Sequence, residues 1–192
     1  MKKAAFLDRD GVINRKAPAG EYVTRWEEME FLPGTREAVR LLRRAGFLVV
    51  VVSNQRCVAK GLITASALES MHERMRREFA AAGAIIDAIY YCPHENAPPC
   101  GCRKPQPGML LQAARDHDID LAASWMIGDS GRDVGAGRAA GCHTALVTGN
   151  DDRSHRAAEA GADLVASSLL DATHQILQVE AALPSVTRSV SR

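Results

Sequence analysis

KAAFLDRDGVIN, residues 3–14, is an apolar run that ends abruptly in two acids and a glycine. Ala4–Leu7 has the pattern of a short buried strand, and Asp8 and Asp10 follow where that strand would end. Residues two apart on an extended chain lean to the same side, so both carboxylates can share one site. Because close anions repel, burying the pair is costly unless a cation joins it. The stretch therefore predicts a binding site for a hard divalent ion such as Mg2+, with a surface turn as the ordinary alternative.

Apolar, β-branched runs alternate with amphipathic helical patterns along the chain. This alternation predicts the α/β class: a Rossmann-like, doubly wound, mostly parallel sheet with helices on both faces. The spacings after Asp10 and Ser53 leave room only for short loops and single helices, so no large cap domain is expected. The predicted strands are Ala4–Leu7, Phe47–Val52, Ile85–Tyr91, Trp125–Ile127, His143–Val147 and Asp163–Ala166. The predicted helices run from Thr35 to Gly46, Thr64 to Ala82, Pro107 to about Asp116, Gly131 to Ala140, Ala157 to Ala160 and Ala172 to Ala182.

Composition limits the classes of function. Hydrophobic residues make up 46% of the 192 and charged residues 24%, as in ordinary globular domains. The net charge of +1 gives no bulk attraction to nucleic acid or to a membrane, and no apolar run approaches the ~20 residues that span a bilayer. We expect a cytoplasmic monomer with one domain over residues 1–183, a flexible tail over 184–192, and a small-molecule substrate. The odd number of cysteines, five, fits a reducing compartment.

Polar residues lie next to three further predicted elements. Ser53 comes after the second strand, Arg103-Lys104-Pro105 precedes a helix, and Gly128-Asp129 follows the fourth strand, with Asp133 four residues on. Each feature alone has an ordinary explanation as a cap, a helix entry or a turn. Because the carboxyl ends of parallel strands meet at one edge of a sheet, these features and the first two acids are expected to gather in one crevice.

Two closely spaced ligand pairs, Cys92-Pro93-His94 and Cys100-Gly101-Cys102, lie in a proline-containing loop. Three thiols and one imidazole match a closed structural zinc site, and four protein ligands leave no open position for catalysis. A disulfide or a set of unconnected cysteines is the alternative. The loop is expected to fix Arg103 and Lys104, which follow it directly.

The remaining cysteines and two of the histidines have no partner by spacing. Cys142 is interpreted as a core residue and Cys57 as part of an active-site loop. His72 and His117 lie in predicted helices and are expected at the surface.

The order of these features resembles the haloacid dehalogenase superfamily of phosphohydrolases, from Ala4 to about Val147. The superfamily's first motif, Asp-x-Asp-Gly-x, is here residues 8–12; the second is Ser53, the third Lys104, and the fourth Gly128-Asp129 with Asp133. The resemblance implies an enzyme, a magnesium-dependent phosphoric monoester hydrolase.

The implied roles follow the requirements of phosphoryl transfer: an in-line nucleophile, neutralised phosphate oxygens and a protonated leaving group. Asp8 would attack phosphorus and form an aspartyl-phosphate. Asp10 would protonate the leaving oxygen and then activate water. Asp8, the backbone carbonyl of Asp10 and Asp129 would hold Mg2+. Ser53 and Lys104 would hold the non-bridging oxygens of the phosphate.

The zinc loop narrows the resemblance to the subgroup of histidinol-phosphate phosphatases and heptose-bisphosphate 7-phosphatases. Three stretches favour the heptose enzymes: Tyr22-Val23 with Phe31-Leu32-Pro33-Gly34, Tyr90–His94, and Lys104–Leu110. This resemblance implies a phosphorylated sugar substrate and a place in the synthesis of the nucleotide-heptose precursor of the lipopolysaccharide core. Arg103 would contact the second phosphate or the sugar. The sugar would lie against Lys16, Gly20, Glu21, Tyr22, Asn54, Gln55 and Arg56.

The chain departs from the subgroup pattern at two places. Arg56-Cys57-Val58 replaces the usual Ser-Gly-Ile, and Ser130 stands where a lysine often follows the fourth-motif acid. Arg56 is expected to add a phosphate contact, because a guanidinium suits phosphate oxygens. Asp133 is expected to orient the metal shell or Lys104 rather than to bind metal directly.

Other interpretations of the same residues remain open at this stage. Histidinol phosphate is the alternative substrate. A signalling receiver domain also gathers acids and a lysine around Mg2+, but it has no use for the second carboxyl two residues after the nucleophile. A phosphomutase or dehalogenase would need a sizeable cap to exclude water, and a purely structural zinc protein would have no use for acids at strand ends.

Overall fold

A computed structural model describes residues 1–149 and 161–182. Six strands of the described chain form one parallel sheet in the order β3-β2-β1-β4-β5-β6. The strands are β1 (Ala4–Leu7), β2 (Leu48–Asn54), β3 (Ala88–Cys92), β4 (Trp125–Gly128), β5 (His143–Val147) and β6 (Leu164–Ala166). The helices are α1 (Thr35–Arg44), α2 (Ala65–Ala81), α3 (Gly108–His117), α4 (Gly131–Ala140) and α5 (Leu169–Ala182). The predicted α/β class is confirmed.

Side chains of β1 alternate between two apolar cores, one on each face of the sheet. Ala5 and Leu7 pack in the core that includes side chains of α1, α2 and α5. Ala4 and Phe6 pack in the opposite core, with side chains of α3 and α4. A strand covered on both faces has to be apolar throughout, as this one is. The prediction of a doubly wound sheet is therefore confirmed.

The order of the strands reverses direction at β1, between β2 and β4. Leu7 pairs in register with Ile127, and the backbone N–H of Asp8 donates to the carbonyl of Ile127 at 2.9 Å. In sheets of this kind, ligands bind outside the carboxyl ends of the strands at such a reversal. Within the described ranges, only loops and a single 3-10 turn, Trp26–Glu28, lie between β1 and α1, and no cap domain is inserted there. A phosphomutase-type or dehalogenase-type closed site has no structural basis in this part of the chain.

Two boundaries differ from the sequence prediction by three residues, each for an identifiable reason. β3 begins at Ala88 instead of Ile85, since the Asp87 side chain accepts the N–H of Val49 at 2.7 Å and the Arg43 guanidinium at 3.0 Å. α5 begins at Leu169 instead of Ala172, because the Ser168 hydroxyl caps it by accepting the N–H of Asp171 at 3.1 Å. The predicted helix over Ala157–Ala160 and the predicted tail lie outside the described residues.

None of the helices in residues 1–149 and 161–182 is long and apolar enough to cross a membrane. The loop between β1 and α1, which we call the first loop, is fixed to the body of the protein by a smaller apolar cluster, in which Val23 and Met29 pack against Leu68 and Met71 of α2. This packing holds the loop beside the carboxyl edge of the sheet.

Candidate active site

A cleft of about 280 Å³ opens at the carboxyl ends of β1, β2 and β4. Every catalytic, magnesium-binding and substrate-binding residue predicted from the sequence lines it. These residues are Asp8, Asp10, Lys16, Gly20, Glu21, Tyr22, Ser53, Asn54, Gln55, Arg56, Arg103, Lys104 and Asp129, with Asp133 beside them. The structure thus brings the separate sequence features into one place.

Lys104 is the electrostatic centre of the cleft. Its side chain is 2% exposed, and its ammonium contacts Asp8 at 2.9 Å, Asp133 at 2.6 Å and the carbonyl oxygen of Val52 at 2.7 Å. Burial by itself would lower the pKa of Lys104, but the carboxylates of Asp133 and Asp8 outweigh it and raise the pKa above its ordinary value. The lysine is therefore charged and is held rigidly by three acceptors.

Asp8 is a buried acid among other acids. Burial raises the pKa of Asp8 to about 7, the charges of Asp133 and Asp129 act in the same direction, and Lys104 opposes them. Carboxylate oxygens of Asp8, Asp129 and Asp133 lie within 4.8 Å of one another. Lys104 and Lys16, whose ammonium lies 2.6 Å from Asp129, supply two positive charges for three acids, so the donor set fits an additional hard cation such as Mg2+.

The cation would be held by two of these acids rather than by all three. Asp133 is already engaged on both oxygens, with Lys104 on one and with the backbone N–H and hydroxyl of Ser130 on the other, at 3.1 and 2.5 Å. Gly11 approaches Asp129 so closely that a Cβ there would lie 2.3 Å from the carboxylate, and its φ of +97° also favours glycine. The glycine of the first motif thus lets Asp8 and Asp129 meet.

Asp10 stands apart from the other three acids. Its carboxylate accepts hydrogen bonds from Arg9, Asn14 and Gln55, each at 2.9 Å at its closest. Burial opposes ionisation, but the guanidinium of Arg9 and these hydrogen bonds hold the pKa of Asp10 below its ordinary value. Arg9 and Asn14 were missed by the sequence analysis; the only available signal was the placement of Arg9 between the two acids.

Asn54 and Gln55, predicted as sugar contacts, also bond to the protein itself. The Asn54 side chain accepts the N–H of Lys104 at 3.0 Å and donates to its carbonyl at 3.1 Å. The Gln55 amide donates to Asp10 and, at 2.7 Å, to the hydroxyl of Ser53. Because the Ser53 hydroxyl accepts that bond, its own proton remains available for another acceptor.

The prediction that His72 is a surface residue is wrong. Its side chain is buried, and its Nε2 lies 3.1 Å from a guanidinium nitrogen of Arg9. Cys57 is also buried, with its thiol 3.5 Å from the side-chain oxygen of Gln55. Cys142 is buried in the core on the α3–α4 face, as predicted.

The zinc loop brings its four predicted ligands together. The ligand atoms of Cys92, His94, Cys100 and Cys102 all lie within 4.8 Å of one another. The sulfur–sulfur distances are 3.2, 3.5 and 3.6 Å, far longer than the ~2.05 Å of a disulfide and near the edge length of a zinc–thiolate tetrahedron. The disulfide alternative is excluded, and the donor set fits Zn2+.

The loop is coupled directly to the cleft. A Cβ at Gly108 would lie 2.2 Å from the carbonyl oxygen of Gly101, so the loop packs tightly on the start of α3. Arg103 donates to the carbonyl of His94 at 3.3 Å, and Lys104 follows it. Loss of the zinc geometry at the four ligands is therefore expected to displace the side chains of Arg103 and Lys104.

Replacing Cys102 with Ser (Cys102→Ser) is expected to lower the zinc content well below one ion per chain. The free energy of unfolding should fall by about 3 kcal/mol or more and Tm by about 6–12 °C, because a structural metal stabilises only the folded chain. Elemental analysis and thermal melts measure both effects. Cys142→Ser makes the same change at a buried thiol outside the cluster and should keep its zinc; a Cys102→Ser protein with full zinc would contradict the assignment.

The substrate-facing loops are linked by Arg56. Its guanidinium donates to the hydroxyl of Tyr22 at 2.7 and 2.9 Å and lies 3.7 Å from Glu95 of the zinc loop.

The ammonium of Lys16 lies 2.6 Å from Asp129. Asn96 and Arg132 also line the cleft. The sequence analysis did not select Asn96 or Arg132, because no local motif distinguishes an asparagine in a loop or an exposed arginine at the start of a helix.

Comparison with known proteins agrees with this site. A family model described as HAD-hydrolase-like matches residues 101–172. The D-glycero-beta-D-manno-heptose-1,7-bisphosphate 7-phosphatase of Vibrio cholerae is 39% identical, with 93% of this chain and 98% of that protein covered. The D-glycero-alpha-D-manno-heptose-1,7-bisphosphate 7-phosphatase of Mycobacterium bovis is 42% identical, with 67% and 68% covered.

A solved structure gives the same result. The D,D-heptose 1,7-bisphosphate phosphatase from B. bronchiseptica, complexed with magnesium and phosphate, superposes with a TM-score of 0.82 at 38% identity, covering 92% of this chain and 99% of that one. Identity near 40% over almost the full length of such relatives, together with the placement of all four motifs in one cleft, leads to one assignment. The chain belongs to the D-glycero-D-manno-heptose-1,7-bisphosphate 7-phosphatase family of haloacid dehalogenase-like phosphatases.

Proposed function

We propose that this chain removes the 7-phosphate of D-glycero-D-manno-heptose 1,7-bisphosphate through an aspartyl-phosphate on Asp8. The observation that carries the proposal is the arrangement at the strand ends. A buried nucleophile pairs with Lys104 and meets Asp129, and a second acid, Asp10, is positioned separately by its own set of donors. A receiver domain would not need the second acid.

In the first half-reaction, an oxygen of Asp8 attacks phosphorus while the oxygen of the sugar leaves. Asp8, Asp129 and the backbone carbonyl of Asp10 would hold Mg2+, whose positive charge would reduce the repulsion between nucleophile and phosphate. Lys104 and the free hydroxyl proton of Ser53 hold the non-bridging oxygens. Asp133 keeps the Lys104 ammonium in place from the opposite side.

Asp10 serves both half-reactions as a proton carrier. In its acid form it gives a proton to the leaving sugar oxygen, and the resulting carboxylate takes a proton from the water that attacks the aspartyl-phosphate. The donors around Asp10 favour the carboxylate, which suits the second role. The negative phosphate of a bound substrate acts in the opposite direction and favours proton uptake for the first role.

The sugar and its second phosphate are proposed to lie between the first loop and the zinc loop. Arg103 contacts the second phosphate, and the stretch Lys16–Tyr22 contacts the sugar. Asn54 and Gln55 act mainly as positioning residues, because their amides hydrogen-bond to Lys104, Ser53 and Asp10.

Arg56→Ala is expected to raise KM for the bisphosphate about 5- to 10-fold and to change kcat less than about threefold. The reason is that the substitution removes one charge-assisted contact with the substrate. Steady-state phosphate release measures both constants. Arg44→Ala, at the exposed end of α1, is the matched control. Tyr22→Phe separates two routes, because it reproduces the KM change only if Arg56 acts by fixing Tyr22; an unchanged KM in Arg56→Ala would rule out both.

The direct test is phosphate release with Mg2+ from both anomers of heptose 1,7-bisphosphate, histidinol phosphate and fructose 1,6-bisphosphate. We expect one phosphate per heptose bisphosphate and retention of the 1-phosphate, which phosphorus NMR of the product distinguishes. The preferred anomer identifies the pathway branch. A preference for histidinol phosphate would overturn the proposed substrate while leaving the phosphatase chemistry in place.

We further propose that the enzyme acts in the cytoplasm as a monomer and supplies a precursor of the lipopolysaccharide core. A zinc site with three thiolates suits a reducing compartment. The large apolar side chains exposed in the described residues, Met1, Leu62, Ile85 and Val179, are spread along the chain, on the N-terminus, two loops and α5. Light scattering after size-exclusion chromatography measures the oligomeric state.

A further inference from the structure

Arg9 is a wholly buried cation whose side chain faces three different partners. Its Nε and Nη2 donate to the Asp10 carboxylate at 2.9–3.1 Å, and Nη2 also donates to the side-chain oxygen of Gln55 at 3.1 Å. The remaining nitrogen, Nη1, lies 3.1 Å from Nε2 of His72, on the buried face of α2. His72 is thus the third partner of the Arg9 guanidinium, after Asp10 and Gln55, and no step of the proposed reaction uses it.

The chemistry of this contact fixes the state of the histidine. A guanidinium has only donors, so His72 Nε2 has to accept, which places the ring proton on Nδ1 and leaves the imidazole neutral. Burial, together with the nearby charge of Arg9, lowers the pKa of His72 to about 3. The ring also packs edge-on against Tyr91 at a centroid distance of 5.7 Å. It therefore presents a permanent acceptor from a fixed position.

We propose that His72 is a positioning residue for proton transfer: by holding Nη1 of Arg9 it fixes the guanidinium that in turn orients the Asp10 carboxylate. This inference rests on the proposed role of Asp10 as proton carrier. The guanidinium is planar, so its edge toward Asp10 and its edge toward His72 cannot be adjusted independently. If His72 Nε2 is removed, the buried Nη1 of Arg9 can reach another acceptor only when the guanidinium plane turns. That turn weakens the hydrogen bonds from Arg9 to Asp10.

His72 should influence one chemical step and leave the others alone. Among the described residues, it has no direct contact with Asp8, Lys104 or Asp129, which attack and neutralise the phosphate. Its effect should therefore be large for a sugar oxygen, which has to be protonated as it leaves. It should be small for a phenolic oxygen that leaves as a stable anion.

The experiment compares His72→Leu and His72→Gln with the wild type, using heptose 1,7-bisphosphate and p-nitrophenyl phosphate with Mg2+. Single-turnover rapid-quench measurements with enzyme in excess follow release of the alcohol, the step that needs the proton. For His72→Leu we expect release from the sugar ester to slow by about 10- to 100-fold, while release of p-nitrophenol changes less than about threefold and the half-saturating concentrations stay within about threefold. His72→Gln, whose amide oxygen can replace Nε2, should restore the sugar ester rate to within about threefold of wild type.

An equal loss for both esters in His72→Leu would overturn the proposal, since it would show a general structural role. Unchanged rates for the sugar ester would overturn it as well. If His72→Leu does not fold, His72→Ala is measured with and without added imidazole, and only selective recovery of the sugar ester rate supports the proposal. Wild-type enzyme that cleaves p-nitrophenyl phosphate but not the heptose bisphosphate would refute the proposed substrate alone; the ester comparison then uses fructose 1,6-bisphosphate.

Discussion

Asp8→Asn is expected to reduce phosphate release from heptose 1,7-bisphosphate by at least about 10⁴-fold. An amide oxygen does not attack phosphorus effectively, and the covalent route through the aspartyl-phosphate is lost completely. The substitution also removes one of the anionic oxygens that fit Mg2+. Folding should be retained, because Asn has nearly the same shape and Lys104 keeps its contacts with Asp133 and Val52.

Phosphate release and mass spectrometry of the quenched protein measure this effect together. The wild type should show a transient gain of one phosphoryl group, and the variant should show none. Asp118→Asn is the matched control: the same chemical change at an exposed position, in a left-handed conformation that Asn tolerates, after α3. If Asp8→Asn kept more than about one hundredth of wild-type turnover, the assignment of the nucleophile would be wrong.

Lys104→Met is expected to have the second largest effect, with kcat falling about 10²- to 10³-fold. The variant keeps much of the apolar volume of lysine but removes the only cation in direct contact with both Asp8 and Asp133 among the described residues. Loss of a fixed charge at the transferring phosphate accounts for the rate. Loss of one partner from a buried ion pair should also lower the free energy of unfolding by about 3–5 kcal/mol.

Urea denaturation and steady-state kinetics separate the two consequences. The kinetic comparison is made at a temperature and urea concentration at which circular dichroism shows the variant to be fully folded. Lys2→Met, at an exposed position before β1, controls for the loss of a lysine. A Lys104→Met enzyme with kcat within threefold of wild type would show that the phosphate is neutralised without this residue.

The outcomes for particular residues show how far sequence reasoning reaches. The meeting of Asp8 and Asp129 was predictable, because parallel strands place their carboxyl ends at one edge and both acids directly follow a strand. The four zinc ligands were predictable, since short spacing within one loop limits how far apart they can lie. Asn54 and Gln55 were correctly placed at the cleft, but their amides bond mainly to Lys104, Ser53 and Asp10. The prediction of their direct contact with sugar is not tested by these bonds.

His72 marks the point where the same reasoning fails. Its position four residues after Leu68 and three before Met75 puts it on the apolar face of α2, but the residue type indicated exposure, since an isolated histidine on a helix is usually exposed. The structure buries it because α2, whose Met75 and Phe79 share a core with Leu7 of β1, brings it to Arg9, 63 residues away in sequence. Arg132 is the opposite case: an exposed arginine without a motif, placed in the cleft only by the direction in which α4 starts.

The sequence by itself determined the α/β class, the candidates for the nucleophile and the second acid, and the set of zinc ligands. Each of these depends on local order: apolar runs with a fixed period, polar residues directly after strands, and ligands a few residues apart. The tertiary structure alone decided which partner each buried polar group has: Lys104 between Asp8 and Asp133, and Asp10 with Arg9, Asn14 and Gln55. The physical reason is that a buried charge must find its compensation in space, and part of that compensation, such as Lys104 for Asp8 and Gln55 for Asp10, comes from distant segments that only the packing of the fold brings together.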